Sequence, residues 1–178
     1  ALGIVQIFAE KEYEVLMWVR SLDETNPRQS VKPIERVLDR LVQKGKTTEE
    51  HMNITLSNIE IVNDLNSLRD CDLIIEAISE DMEIKKGIFK KLDNICKENT
   101  ILATNTSSLS ISEIANVTRR SDKVIGMHFF NPVPLMKLVE VIKGIATSDE
   151  TKERIIKISK EVGKTPVEVQ EAPGFVVN

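Results

Sequence analysis

The sequence predicts an α/β protein with a doubly wound, mainly parallel sheet. Short β-branched runs alternate with longer segments of helical spacing, which is the pattern of βαβ units. Polar clusters follow three consecutive apolar runs, at the strand ends where such a sheet gathers ligands. The 178 residues, 41% of them hydrophobic, are enough to bury one core. Aromatics make up only 4%, so Ile, Val and Leu must fill that core.

Residues 2–11 open the series as an apolar helix, and 13–17 follow as a buried strand. Asp23 to Pro27 is rich in turn formers, with Pro27 placed near a helix start. Helical spacing then runs through 31–44. Gly45-Lys46-Thr47-Thr48 interrupts it, so 31–51 is expected to project as a helical hairpin. Strands over 56–62 and 72–78 precede a helix over 84–96. A strand over 100–104, a helix over 111–117 and strands over 123–128 and 138–142 come next. Thr147, three residues before Glu150, forms a capping box for a helix over 149–162 that ends near Gly163. A short strand over 167–169 leads to Ala172-Pro173-Gly174-Phe175, which reads as the exit from a domain. There are no internal repeats.

The net charge is −4 and no basic run exceeds a short pair such as Lys85-Lys86 or Arg119-Arg120, which argues against nucleic acid as the main partner. No apolar stretch approaches the roughly 20 residues of a membrane span, and no signal peptide is visible. Cys71 and Cys96 are too few for a disulfide framework and are not spaced as metal ligands. A reducing compartment, cytosolic or organellar, is expected, with cytoplasmic as the assignment and no bound metal. The chain begins with Ala1 rather than Met, as a processed, truncated or fragmentary chain would.

Three strand ends deliver polar residues to one edge: Glu76 and Glu80, then Asn105-Thr106-Ser107-Ser108, then His128 and Asn131. His128 carries the side chain best suited to proton transfer near neutral pH, although a histidine beside Phe129 and Phe130 also fits a plain packing role. Glu140 lies inside the next apolar run, where an unpaired carboxylate would be costly. The connection through Pro132 to Lys137 is short enough to bring it beside His128. There it would fix the ring's tautomer; the alternative is an edge-strand carboxylate facing water. Asn105 and Ser107 could polarise a substrate oxygen or simply cap a helix. Lys85 could meet a phosphate or lie on a solvated helix face.

Four strings then stand in order: Asn105-Thr106-Ser107-Ser108-Leu109, Gly126-Met127-His128-Phe129-Phe130-Asn131-Pro132, Lys137-Leu138-Val139-Glu140-Val141 and Pro173-Gly174-Phe175-Val176-Val177-Asn178. Together they resemble the 3-hydroxyacyl-CoA dehydrogenase family, particularly its bacterial 3-hydroxybutyryl-CoA members. The resemblance implies one Rossmann-type NAD(P)-binding domain over 1–178, with the hairpin of about 31–51 as a CoA-facing insertion. An α-helical domain that forms a homodimer would follow and is absent from this chain. The implied reaction is the NAD(P)-linked interconversion of (S)-3-hydroxyacyl-CoA and 3-oxoacyl-CoA, in fatty-acid or butanoate metabolism. His128 would be the acid/base paired with Glu140, and Ser107 and Asn178 would complete the catalytic set. Ala1, Glu80, Lys85, Asn105, Ser107 and Asn131 match positions near the dinucleotide. Ser107, Lys85 and Asn131 match positions near the substrate.

Three departures qualify this. Ala1-Leu2-Gly3 aligns with the end of the family's glycine-rich phosphate loop, so Ala1 takes the third-glycine position and the strand before it is missing. A disrupted sheet, or a strand borrowed from elsewhere, is therefore expected. Val19 replaces the ribose-binding Asp and Arg20 follows, which makes NADP a possible cofactor beside NAD. Asn178 ends the chain. Two other readings stay open: a catalytically inactive nucleotide- or CoA-binding fragment, and a Rossmann dehydrogenase for sugars or short hydroxy acids.

Overall fold

A computed structural model describes residues 1–23 and 25–171. The fold is α/β, as expected, and its described residues divide into two units.

The first unit comprises residues 1–67 with 132–135. It begins with α1 (Leu2–Ala9), which buries Ile4, Ile7, Phe8 and Ala9. The chain then turns at Glu12, whose φ of 63° is left-handed, and the ring of Tyr13 meets Phe8 edge-on at 5.4 Å. This turn leads into β1 (Val15–Trp18), which pairs in parallel with β2 (Ile59–Val62) from Val15↔Ile59 to Trp18↔Val62. Between the two strands stand α2 (Lys32–Gln43) and α3 (Glu49–Ser57). Pro27 opens a single 3-10 turn, Pro27–Val31, ahead of α2. Gly45 (φ 65°) ends α2, with Gly45 N–H on Val42 O and Lys46 N–H on Leu41 O, the arrangement of a Schellman cap. Thr48 caps α3 by accepting from His51 N–H at 3.1 Å. The hairpin expected over 31–51 therefore extends to Ser57. Leu56 and Ser57, expected in a strand, belong to this second helix, because the cap at Thr48 starts a run that nothing interrupts before Asn58. Ala9, Met17, Val31, Ile34, Leu38 and Ile59 form the core of the unit.

The second unit comprises residues 68–131 with 136–171 of the described chain. Its sheet has the order β3-β4-β5-β6-β7: Leu73–Glu76, Ile101–Thr104, Val124–Phe129, Leu138–Lys143 and Thr165–Gln170. Neighbours are parallel except β5 and β6, which run antiparallel. The crossovers are α4 (Met82–Ile95), α5 (Ile111–Ala115) and α6 (Asp149–Glu161). β4 and β5 are buried along their whole length, which is why they read as unbroken apolar runs rather than as alternation. Gly126 on β5 is needed for this packing, since a Cβ there would lie 2.9 Å from Ile111 Cδ1 and from Ile142 Cβ. One expected cap is corrected. Ser148, not Thr147, caps α6, accepting from Thr151 N–H at 3.1 Å. Thr147 instead donates to Val124 O at 2.7 Å and accepts from Gly144 N–H, so its hydroxyl closes the turn before the helix.

Among the described residues no strand pairing joins β1–β2 to the five-stranded sheet. The described strands thus fall into two sheets, the disrupted arrangement that was expected. No helix of the described residues is long and apolar enough to cross a membrane.

Candidate active site

The carboxyl ends of β3, β4 and β5 point the same way, because the three strands are parallel neighbours. The polar clusters expected at one edge are therefore brought together within the second unit. His128 stands near the end of β5, and the reversal into β6 sets Glu140 directly opposite it in register. His128 Nδ1 lies 2.8 Å from Glu140 Oε2, with the two side chains 9% and 1% exposed. The Phe130 ring packs 4.6 Å from the imidazole, centroid to centroid. Glu140 is thus a buried, paired carboxylate and not an edge-strand side chain facing water. Its Oε1 has no hydrogen-bond partner among the described residues. A carboxylate held on Nδ1 fixes the ring's orientation and stabilises the positive charge that forms when the ring takes a proton.

Asn105 leaves the end of β4. Its Oδ1 accepts Phe129 N–H at 2.9 Å, which ties the β4 exit to the residue after His128. Ser107 follows in a turn organised by Thr106, whose Oγ1 accepts Leu109 N–H at 2.9 Å and donates to Glu80. Glu80 Oε1 also accepts Ser107 N–H at 2.9 Å and Ser107 O–H at 3.4 Å. Burial pushes the Glu80 carboxyl upward, but the bonds from Thr106 and Ser107 and the charge of Lys85 outweigh it, so the net effect is below the usual carboxylate range.

Lys85 is 1% exposed, which corrects the reading of a solvated helix face. Its Nζ lies 2.7 Å from Glu76 Oε1 and 3.4 Å from Glu80 Oε2. The ammonium is turned inward because two carboxylates offer it what water would. Lys86 alone behaves as expected of the surface, pairing with Glu83 and Glu113. Asn131 is exposed at the start of the loop after β5. Ala1 lies in the first unit, where its carbonyl accepts from Ile4 and Val5 at the start of α1. Asn178 and the string from Pro173 onward lie outside the described residues.

Sequence reasoning gave no role to three residues that shape this region. Glu76 Oε2 accepts Thr104 O–H at 2.7 Å, and Thr106 organises the serine turn as above. Glu171 accepts Ser112 N–H at 3.1 Å and both serine hydroxyls, Ser110 and Ser112, so it fastens the exit from β7 to the start of α5. The signal for Glu76 was present: a carboxylate ending an apolar strand needs a buried partner, and Lys85 is the cation that α4 supplies.

A mainly parallel α/β unit with these groups at its strand ends is of the class that binds nucleotides at the carboxyl edge of the sheet. The sequence profile described as 3-hydroxyacyl-CoA dehydrogenase, NAD binding domain, matches residues 1–172. The chain belongs to the 3-hydroxyacyl-CoA dehydrogenase family of oxidoreductases, through that family's NAD binding domain. It is 52% identical over 176 residues to a 3-hydroxybutyryl-CoA dehydrogenase of Clostridioides difficile, covering 99% of this chain and 62% of the relative. The mitochondrial hydroxyacyl-coenzyme A dehydrogenase of Sus scrofa is 42% identical over 99% of this chain and 57% of its own. The crystal structure of (S)-3-hydroxybutyryl-CoA dehydrogenase from Ralstonia eutropha superposes with a TM-score of 0.95 at 43% identity, over 99% of this chain and 62% of that one. The chain thus spans about three fifths of the length of the relatives it matches.

Proposed function

We propose that this chain supplies the nucleotide-binding and acid–base part of a dehydrogenase that interconverts (S)-3-hydroxyacyl-CoA and 3-oxoacyl-CoA, with 3-hydroxybutyryl-CoA as the substrate. The observation that carries the reading is the His128–Glu140 pair, 2.8 Å apart and in cross-strand register. With Nδ1 engaged by Glu140, proton exchange with the 3-hydroxyl falls to Nε2. Ser107 and Asn178 are assigned to orient the reacting oxygen. The dinucleotide, when bound, supplies the hydride acceptor.

The donor set of the second unit suits the nicotinamide end of such a cofactor. Asn105 engages Phe129 through its oxygen, so its amide N–H groups are the donors it offers a ligand. Glu80, Ser107, Asn131 and Ala1 complete the proposed contacts, with Ser107 and Asn131 shared by substrate; Lys85, expected among both sets, is proposed to serve them through Glu80, since its ammonium is buried. At the ribose end, apolar Val19 offers no acceptor and exposed Arg20 follows it, so NADP is proposed to bind at least as well as NAD. We assign 1–178 to one NAD(P)-binding domain, an acyl-CoA to its substrate site, dimerisation to a helical domain of the whole protein, and a cytoplasmic setting.

The test is reduction of acetoacetyl-CoA by NADH and by NADPH, run beside calorimetry with each ligand. Turnover that is lost in His128→Gln supports the reading. Binding of acetoacetyl-CoA without turnover favours instead a silent CoA- or nucleotide-binding module, which the division of the described strands into two sheets recommends.

A further inference from the structure

Ser107 is held by Glu80, and Glu80 is steadied by a group that no substrate reaches. Glu76 ends β3 with a side chain 2% exposed, and both of its oxygens are engaged. Oε1 accepts from Lys85 Nζ at 2.7 Å and from Ile78 N–H at 2.6 Å, and Oε2 accepts from Thr104 O–H at 2.7 Å. Lys85, on the first turn of α4, sits between this carboxylate and Glu80 Oε2. Glu80 then presents Oε1 to Thr106 O–H, Ser107 N–H and Ser107 O–H. Two buried strand ends and the start of α4 are thereby linked to one serine turn. A charge withdrawn this far from water persists only where its partners are fixed. A lysine meant for a phosphate would have to keep its head accessible, and this one does not.

We propose that Glu76 and Lys85 are positioning residues: a buried ion pair that orients Glu80, which in turn sets the amide and hydroxyl of Ser107. The assignment rests on the reading of Ser107 as substrate-facing. The ammonium fixes which Glu80 oxygen is turned to the serine turn, because Oε2 is drawn to Nζ and Oε1 is left for the turn. A lysine that acted on Glu80 through its charge alone would, when replaced by Met, raise the Glu80 titration and leave Ser107 exchange unchanged. One that orients Glu80 would move both.

The experiment uses this chain without substrate. Nuclear magnetic resonance follows the titration of the Glu80 carboxyl and the hydrogen exchange of the Ser107 amide. Lys85→Met is expected to move the Glu80 titration upward and to speed Ser107 exchange about tenfold or more, the scale of one charge-assisted hydrogen bond. Glu76→Gln combined with Lys85→Met removes both buried charges together, and is expected to give the same two changes while keeping the fold. Glu80→Gln, on a side chain 39% exposed, is expected to speed Ser107 exchange alone. Any folded variant of these three in which Ser107 exchange stays at the wild-type rate overturns the proposal; so does an unmoved Glu80 titration in either Lys85 variant. Should neither Lys85 variant fold, Glu80→Gln decides on Ser107 exchange. None of these readouts needs turnover. A chain that meets them but neither binds nor reduces acetoacetyl-CoA keeps the ion pair's role and loses the dehydrogenase reading.

Discussion

Glu140 Oε2 lies 2.8 Å from His128 Nδ1, and the two residues face each other across the one antiparallel pair of the five-stranded sheet. Cross-strand register therefore puts the two side chains on one face of the sheet, within reach of each other. Replacing Glu140 by Gln keeps the shape and removes the charge opposite the ring. It is expected to lower kcat for acetoacetyl-CoA reduction about a hundredfold, with His128→Gln losing as much or more. Steady-state kinetics with a circular-dichroism check of the fold measures this. Wild-type kcat in a folded Glu140→Gln variant would remove the pair from the mechanism.

The proposal that NADP binds at least as well as NAD turns on the carboxyl end of β1. Val19 gives its N–H to Val62 O at 2.9 Å, and Arg20 beyond it is exposed. Val19→Asp should shift the ratio of dissociation constants toward NAD by about tenfold, and Arg20→Ala should weaken NADP but not NAD. Calorimetry with both dinucleotides decides, and a wild-type chain with strong NAD preference sinks the idea.

Acid is expected to weaken the second unit through Asp93. Burial raises this carboxyl, but hydrogen bonds from Arg120 and Arg119 outweigh that and hold it below the usual range. A carboxylate depressed in the folded state contributes stability that is complete above its ordinary value of 3.8 and lost as pH falls through the folded value. Urea midpoints should therefore drop on going below about pH 4, and Asp93→Asn should flatten that drop. Because Arg120 is buried and bonded at 2.8 Å, Asp93→Ala should cost about 3–5 kcal/mol.

The two thiols should differ in reactivity. Burial pushes Cys96 up to about 11, so near pH 8 only about one molecule in a thousand carries its thiolate. Burial also raises Cys71, which is only half-buried. Iodoacetamide followed by mass spectrometry should label Cys71 first, with Cys96 labelled only after unfolding in urea. Equal rates in the folded protein would contradict this packing.

Glu12 is the one non-glycine residue with positive φ among the described residues. Substituting Gly removes the Cβ conflict of that conformation, about 1 kcal/mol, partly offset by the greater freedom of an unfolded glycine. Thermal unfolding should rise by about 2 °C, and a fall would show that the Glu12 side chain makes a stabilising contact.

Much of the fold was legible because burial on both faces of β4, β5 and β6 leaves continuous apolar runs that periodicity detects. Element type followed from those runs, and the hairpin from Gly45, where only a left-handed residue closes the Schellman turn. Boundaries were less secure. Leu56 is apolar in either a strand or a helix, and adjacent Thr147 and Ser148 both have hydroxyls able to cap α6. The sequence by itself determined the α/β class and the family strings, and it offered His128 and Glu140 as a pair beside an edge-strand alternative that the β5–β6 register then excluded. Only the tertiary structure decided where Lys85 points. A lysine at a helix start is equally at home in water, beside a phosphate or inside, and its burial depends on Glu76, nine residues away on another element. Pairing of charges between elements is set by which of them the sheet makes neighbours; the sequence shows that Glu76, ending an apolar strand, needs a partner, but not which cation supplies it.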